Sequence, residues 1–361
     1  MKTALYEKHK ALNAKMTDFG GWEMPLQYKG AILEQRAVRE SVGLFDVSHM
    51  GRIIVQGVDA EKLLEKLSTN KIAGKPDNSA TYTAWCLPSG GCVDDLIVYR
   101  YHSQKFFIIV NAGNRQKDLA HLKKYAEDFR VEIIDRFNED GILALQGPNA
   151  FPLMEEIFPA ANQLKPMQFM EVPFENETII IASTGYTGAG GYEIYAENAL
   201  IVSLWDLFLS EGLAFDIEPA GLGARDILRL EMGFALYGHE IDETIAPTES
   251  VAAWAVKMDK PEFVGKEALM ELAEGSKKRL QQGLILLDPG VARQDYPIFK
   301  DGQEIGTVTS GGFSPTLDRS IAIGMINEQL SIGQHVEVAI RKNICQAEIV
   351  ALPFINKKSL R

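Results

Sequence analysis

A chain of 361 residues is long enough for two or three hydrophobic cores, since single domains cluster near roughly 100–200 residues. Lys plus Arg number 37 against 49 Asp plus Glu, a formal charge of −12 that excludes a broad electrostatic footprint for nucleic acid or acidic lipid and leaves any anionic ligand dependent on a local arginine. The three cysteines, Cys86, Cys92 and Cys345, lack CxxC spacing, so they support neither a disulfide framework nor a zinc site and fit a reducing compartment.

The first ten residues carry no apolar signal core and are not Arg/Ser-rich like a transit peptide, which points to a cytoplasmic protein or a mature imported chain of the mitochondrial matrix. No stretch is read as a membrane span. After Phe19-Gly20-Gly21-Trp22 the spacing predicts a helix over 31–42, and Gly43-Leu44-Phe45-Asp46-Val47-Ser48-His49-Met50-Gly51 leads into a strand near 52–55. A helix over 60–67, a strand after Asp95, a strand over 106–110 and a helix over 117–128 complete a small lobe of helices on a sheet.

Within that lobe, Gly90-Gly91-Cys92-Val93-Asp94-Asp95-Leu96-Ile97-Val98-Tyr99 sets two carboxylates beside strand-favouring residues. Strand alternation sends Asp94 and Asp95 to opposite faces, with Asp95 sharing its face with Ile97 and Tyr99. Either both aspartates belong to the turn and sit in water, or one stands against apolar walls, where an ionised group must be hydrogen-bonded, paired or shifted in pKa. Cys92 reads as a packing residue, because neighbouring carboxylates make it a poor nucleophile.

Strands are predicted over 141–145 and 178–183, followed by the glycine-rich Thr184-Gly185-Tyr186-Thr187-Gly188-Ala189-Gly190-Gly191-Tyr192-Glu193-Ile194-Tyr195. This run has neither the GxGxxG nor the GxxxxGK[ST] order, so it reads as a hairpin rather than a nucleotide loop. Glu193 in a partly apolar strand could accept two parallel N–H bonds from a flat heterocycle with an amidine-like edge, as a pterin or guanine presents. Pro219-Ala220-Gly221 then opens a helix on which Arg225 and Arg229 share a face, either as salt bridges to Asp226 or Glu231 or as a fork for a ligand carboxylate or for Glu193. The six histidines form no metal-ligand cluster, and no nucleophile–base set is evident. Segments at 259–261 and 274–279 set off a last part of short strands and turns, an all-β module.

Six segments in order resemble the aminomethyltransferase family, the T protein of the glycine cleavage system: Phe19-Gly20-Gly21-Trp22-Glu23-Met24-Pro25-Leu26, Phe45-Asp46-Val47-Ser48-His49-Met50-Gly51, Asp94-Asp95-Leu96-Ile97-Val98-Tyr99, Gly185-Tyr186-Thr187-Gly188, Gly221-Leu222-Gly223-Ala224-Arg225-Asp226, and Thr309-Ser310-Gly311-Gly312-Phe313-Ser314-Pro315-Thr316-Leu317. The resemblance implies an α+β fold of three lobes around a central folate opening, with a C-terminal all-β barrel module. The expected division places central folate-binding lobes at 1–50 and 140–275, the α+β lobe at 51–139 and the barrel at 276–361. It implies transfer of an aminomethyl group from the lipoyl arm of H protein to tetrahydrofolate, giving 5,10-methylenetetrahydrofolate, ammonia and the reduced arm, with no metal. Asp95 matches the family's key aspartate. Glu193 matches its pterin-binding glutamate, and Met50, Tyr82, Tyr99, Asn111, Tyr186, Arg225 and Trp254 match folate-pocket residues, with Arg293 near the opening on the barrel.

The chain departs from the pattern at Cys92, where an aliphatic residue is usual, and in the tail 353–359, which lacks the aromatic some relatives place against folate. Alternatives of related fold are a folate-dependent demethylase and a non-catalytic folate-binding assembly factor; the latter's cysteine motif is absent at 221–226. The expected partner is lipoylated H protein, with no nucleic acid and no membrane.

Overall fold

A computed structural model of the chain describes residues 1–275 and 279–355, so Ser276–Lys277–Lys278 of the separating segment and positions 356–359 of the tail lie outside the described residues. The strand Cys92–His102 begins before the two aspartates, which therefore sit inside a ladder and not in a turn: Asp94 lies opposite Trp85 and Asp95 opposite Ala84. This strand is second in a five-stranded antiparallel sheet of order Ser79–Cys86, Cys92–His102, Lys105–Val110, Gly51–Gln56, Glu132–Asp135.

Alternation along Cys92–His102 divides its side chains between two cores. Leu96 and Val98 join Ile53, Phe106 and Ile108 beneath the helices Ala60–Leu67 and Arg115–Ala126. Ile97 and Tyr99 face the other way, against Phe45, Ile142, Ala144 and Tyr195 of a second sheet. That sheet has six strands in the order Phe169–Phe174, Glu177–Ala182, Gly191–Glu197, Asp140–Gln146, Val42–Asp46, Ile217–Pro219, with only the last pair parallel. The gap between the two sheets is where a ligand can enter.

The segment Asn198–Phe215 is long and apolar enough to cross a membrane, contrary to the expectation that no stretch is. Here its Leu200, Ile201, Leu204, Trp205 and Phe208 are buried against Leu143, Leu145, Ile181 and Ile194 on the outer face of the six-stranded sheet. The all-β module is a closed barrel of the strands Leu280–Leu286, Arg319–Ile326, Gln303–Ser314, Pro297–Lys300, His335–Ile340 and Asn343–Val350.

The helix Leu222–Glu231 carries ions that join the barrel to the rest. Arg229 donates to Glu240 and to Ser310 Oγ, both at 2.8 Å, while Glu231 accepts from Ser314 Oγ at 2.6 Å and from Arg39 at 2.7 Å. Both residues are buried, so each charge depends on these partners.

Candidate active site

A cavity of about 1210 Å³ opens between the two sheets. On its wall stand Asp95, Met50, Tyr82, Asn111, Tyr186, Glu193, Arg225 and Trp254, drawn together from positions 50 to 254 of the chain. Tyr99 is not on that wall; it is fully buried behind Glu193. Arg293 is not on it either: its guanidinium lies on the barrel and donates to the Gly311 carbonyl at 3.0 Å.

Asp95 is held from two sides. Its Oδ1 accepts from Asn111 Nδ2 at 2.8 Å and its Oδ2 from Tyr82 OH at 3.0 Å, and Tyr82 is stacked on Trp254 with ring centroids 5.3 Å apart. Burial, and then the charge of Asp94 on the adjacent position, push the Asp95 carboxyl up to about 7. Such a group exchanges its proton near neutral pH.

Asp94 points away from the cavity and is the charge that acts on Asp95. Its oxygens accept from Asn111 N and Nδ2, each at 2.9 Å, and from Asn114 Nδ2 at 2.6 Å. Asp118, in the first turn of Arg115–Ala126, is fully buried, and neither of its oxygens has an N–H or O–H partner among the described residues. Burial and Asp94 push Asp118 up to about 11, so at neutral pH it keeps its proton and donates it to Asp94. Asn111 thus bridges both aspartates, a positioning role the sequence reading did not separate from ligand contact.

Asn114 and Asp118 were absent from that reading. An asparagine preceding a helix signals an N-cap, but the Asn114 side chain makes no cap bond and turns to Asp94 instead. Its four-residue spacing from Asp118 on a helix was the available signal.

Across the cavity, the hairpin joining Glu177–Ala182 to Gly191–Glu197 delivers Glu193. Its Oε2 accepts from Thr184 Oγ1 at 2.6 Å and lies 3.2 and 3.4 Å from the hydroxyls of Tyr195 and Tyr99. Those three hydroxyls crowd Oε2, so Oε1 is the oxygen left for a ligand N–H. Thr184 and Tyr195, also missed in sequence, fix its direction.

Arg225 and Arg229 do not act as one fork. Arg229 is committed to Asp226, Glu240 and Ser310, whereas Arg225 lies over the Tyr186 ring, 4.5 Å from its centroid, and has no carboxylate partner among the described residues. Cys92 is buried and its thiol is held well above the usual range by burial, in keeping with a packing role. Among the described residues no group of three His, Cys, Asp or Glu side chains could hold a metal ion.

Comparison with known proteins gives a consistent picture. Residues 5–260 match the GCVT N-terminal domain and residues 279–356 the glycine cleavage T-protein C-terminal barrel domain. The chain is similar to proteins named aminomethyltransferase from Chlorobium limicola, at 44% identity over 99% of each chain, and from Thermosipho melanesiensis, at 44% over 98% of this chain and 96% of that one. It is also similar to the crystal structure of glycine cleavage system aminomethyltransferase T from Bartonella henselae, with a TM-score of 0.91, 33% identity, and coverage of 99% of this chain and 98% of that one.

Proposed function

The chain belongs to the glycine cleavage T-protein family and is an aminomethyltransferase of the glycine cleavage system, and from that premise we propose that its acceptor is tetrahydrofolate and its donor the lipoyl arm of H protein. The observation that carries this reading is the pairing, across one cavity, of a carboxyl raised to about 7 with a glutamate whose one open oxygen faces the ligand space.

Glu193 binds an N–H of the pterin edge, and the hydroxyls of Thr184, Tyr195 and Tyr99 hold the carboxylate in line for it. Arg225, which has no carboxylate partner among the described residues, supplies positive charge beside that edge. Tyr82 and Asn111 keep Asp95 directed at the reacting nitrogen.

The donor presents sulfur–CH2–nitrogen, and the two folate N–H groups replace both heteroatoms on that carbon. Two C–N bonds form, the C–S and the original C–N bonds break, and the two displaced hydrogens leave with the thiol and ammonia. Asp95 takes the proton shed by the attacking nitrogen and is suited to it by a proton affinity near working pH. Its negative charge also favours the cationic carbon as the bond to sulfur lengthens.

The test is formation of methylenetetrahydrofolate and ammonia from aminomethylated H protein and tetrahydrofolate, with and without the protein. Stimulation dependent on both substrates supports the reading. Turnover that ignores H protein but saturates with a small methylated donor would instead identify a folate-dependent demethylase.

A further inference from the structure

His49 has an unusual setting. It stands in the turn between the strands Val42–Asp46 and Gly51–Gln56, is 4% exposed, and lies on the cavity wall. The buried Arg52 guanidinium fixes this turn by donating to the carbonyls on either side of His49, those of Ser48 at 2.6 Å and of Met50, and to the carbonyl of Phe137. The Ser48 N–H is held in turn by Asp46 Oδ1 at 2.9 Å. The Phe19 ring meets the imidazole edge-on, with centroids 5.4 Å apart.

His49 Nδ1 is enclosed and has no hydrogen-bond partner among the described residues. Nε2 likewise has no hydrogen-bond partner among the described residues but is not enclosed, so it is the nitrogen that faces the cavity and can meet a group entering there. Burial and the Arg225 guanidinium push the imidazole down to about 4, with Asp46 opposing and Arg52 assisting, so the ring is neutral. A neutral imidazole has one N–H. A proton on enclosed Nδ1 would be a buried donor with no acceptor, so the tautomer with the proton on Nε2 is favoured and offers the cavity a donor.

His49, Arg225 and Glu193 all stand on the wall of this one cavity. Two donors, one guanidinium and one imidazole, thus share the cavity in which Glu193 can bind an amidine-like edge. The group on a pterin that needs donors next to that edge is the ring carbonyl. We propose that His49 donates through Nε2 to the 4-oxo group of the bound pterin and so helps to select 4-oxo over 4-amino folates. This rests on the tetrahydrofolate reading given above.

The experiment measures binding of tetrahydrofolate and of its 4-amino-4-deoxy analogue to the wild type, His49→Phe and His49→Gln by anaerobic calorimetry. Phe keeps the ring packed on Phe19 without a donor; Gln returns an N–H near the Nε2 position. His49→Phe is expected to weaken tetrahydrofolate binding by about 2- to 12-fold, the worth of a neutral hydrogen bond, while leaving the 4-amino analogue unchanged. His49→Gln should regain most of the difference. Equal losses for both ligands, or none for tetrahydrofolate, would overturn the role of His49. Wild type that binds no tetrahydrofolate would instead overturn the reading beneath it. Should His49→Phe fail to fold, His49→Gln decides alone: retention of the 4-oxo preference supports the donor, and its loss contradicts it.

Discussion

Asp94 and Asp95 differ by one position and have opposite duties because a strand turns alternate side chains to opposite faces. Burial raises the Asp94 carboxyl, but hydrogen bonds from Asn111, Asn114 and Asp118 oppose that rise and favour its charge; the Asp95 carboxylate has Asn111 and Tyr82 as partners among the described residues and gains proton affinity from burial and from Asp94. Asp118 gives this arrangement a thermodynamic signature. The folded chain holds a proton on Asp118 that the unfolded chain releases above about pH 4, so this group lowers stability as pH rises from there towards about 11. Asp118→Asn keeps an N–H for Asp94 without that proton. Its thermal midpoint should exceed the wild type's by a margin that widens from pH 5 to pH 8, measured by calorimetry; a constant margin would mean Asp118 is ionised in the fold. At Glu193, replacement by Gln should weaken tetrahydrofolate binding by about 1–3 kcal/mol, the cost of losing a charged hydrogen bond. Unchanged affinity would remove Glu193 from the ligand contact. The aspartate pair and Glu193 were legible because carboxylates stand out in apolar strands. Asp118 and Thr184 were not, because each acts through a neighbour far away or on another element.

At the scale of elements, the glycine-rich hairpin is a device for close approach. A Cβ on Gly185 would stand 2.0 Å from the Gln146 side chain, whose Nε2 donates to the Thr184 carbonyl at 3.1 Å and whose Oε1 accepts from Thr187 at 2.8 Å. Gly185→Ala must therefore displace Gln146 or the loop, and with it Thr184, which holds Glu193. Tetrahydrofolate affinity should fall by about 1–3 kcal/mol, the usual cost of forcing extra atoms into a packed site, with far-ultraviolet circular dichroism unchanged. Wild-type affinity in this variant would show that the hairpin gives way without moving Glu193. The hairpin itself was readable from its glycines and the β-branched run before it. Strand Cys92–His102 was predicted to begin after Asp95 and begins at Cys92, because pairing with Ser79–Cys86 extends the ladder past residues whose own strand preference is poor. The helix expected over 117–128 runs from Arg115 to Ala126, a shift of two residues at each end, where periodicity marks a boundary least sharply.

For the whole molecule, periodicity revealed a helix-on-sheet lobe and a β-rich end, while the juncture between the barrel and the rest is built from single residues scattered in sequence. Arg39, Glu231 and Ser314 meet there across 275 positions, which no local pattern could disclose. Glu231→Ala would leave Arg39 buried without its anion and should cost about 3–5 kcal/mol, seen as a lower urea midpoint. A midpoint equal to the wild type's would show that the juncture does not depend on this charge. The cavity, by contrast, draws its wall from residues before position 255 and depends on the two sheets facing each other. Its chemistry reduces to one proton acceptor. The measurement that bears on it most directly is the rate of methylenetetrahydrofolate formation from aminomethylated H protein as a function of pH, for wild type and Asp95→Asn, with tetrahydrofolate binding measured alongside. The wild-type rate should rise with pH through about 7, as Asp95 ionises, and Asp95→Asn should lose most of the rate and that rise while binding tetrahydrofolate within a few-fold. An Asp95→Asn rate close to the wild type's, with the same pH dependence, would contradict Asp95 as the proton acceptor.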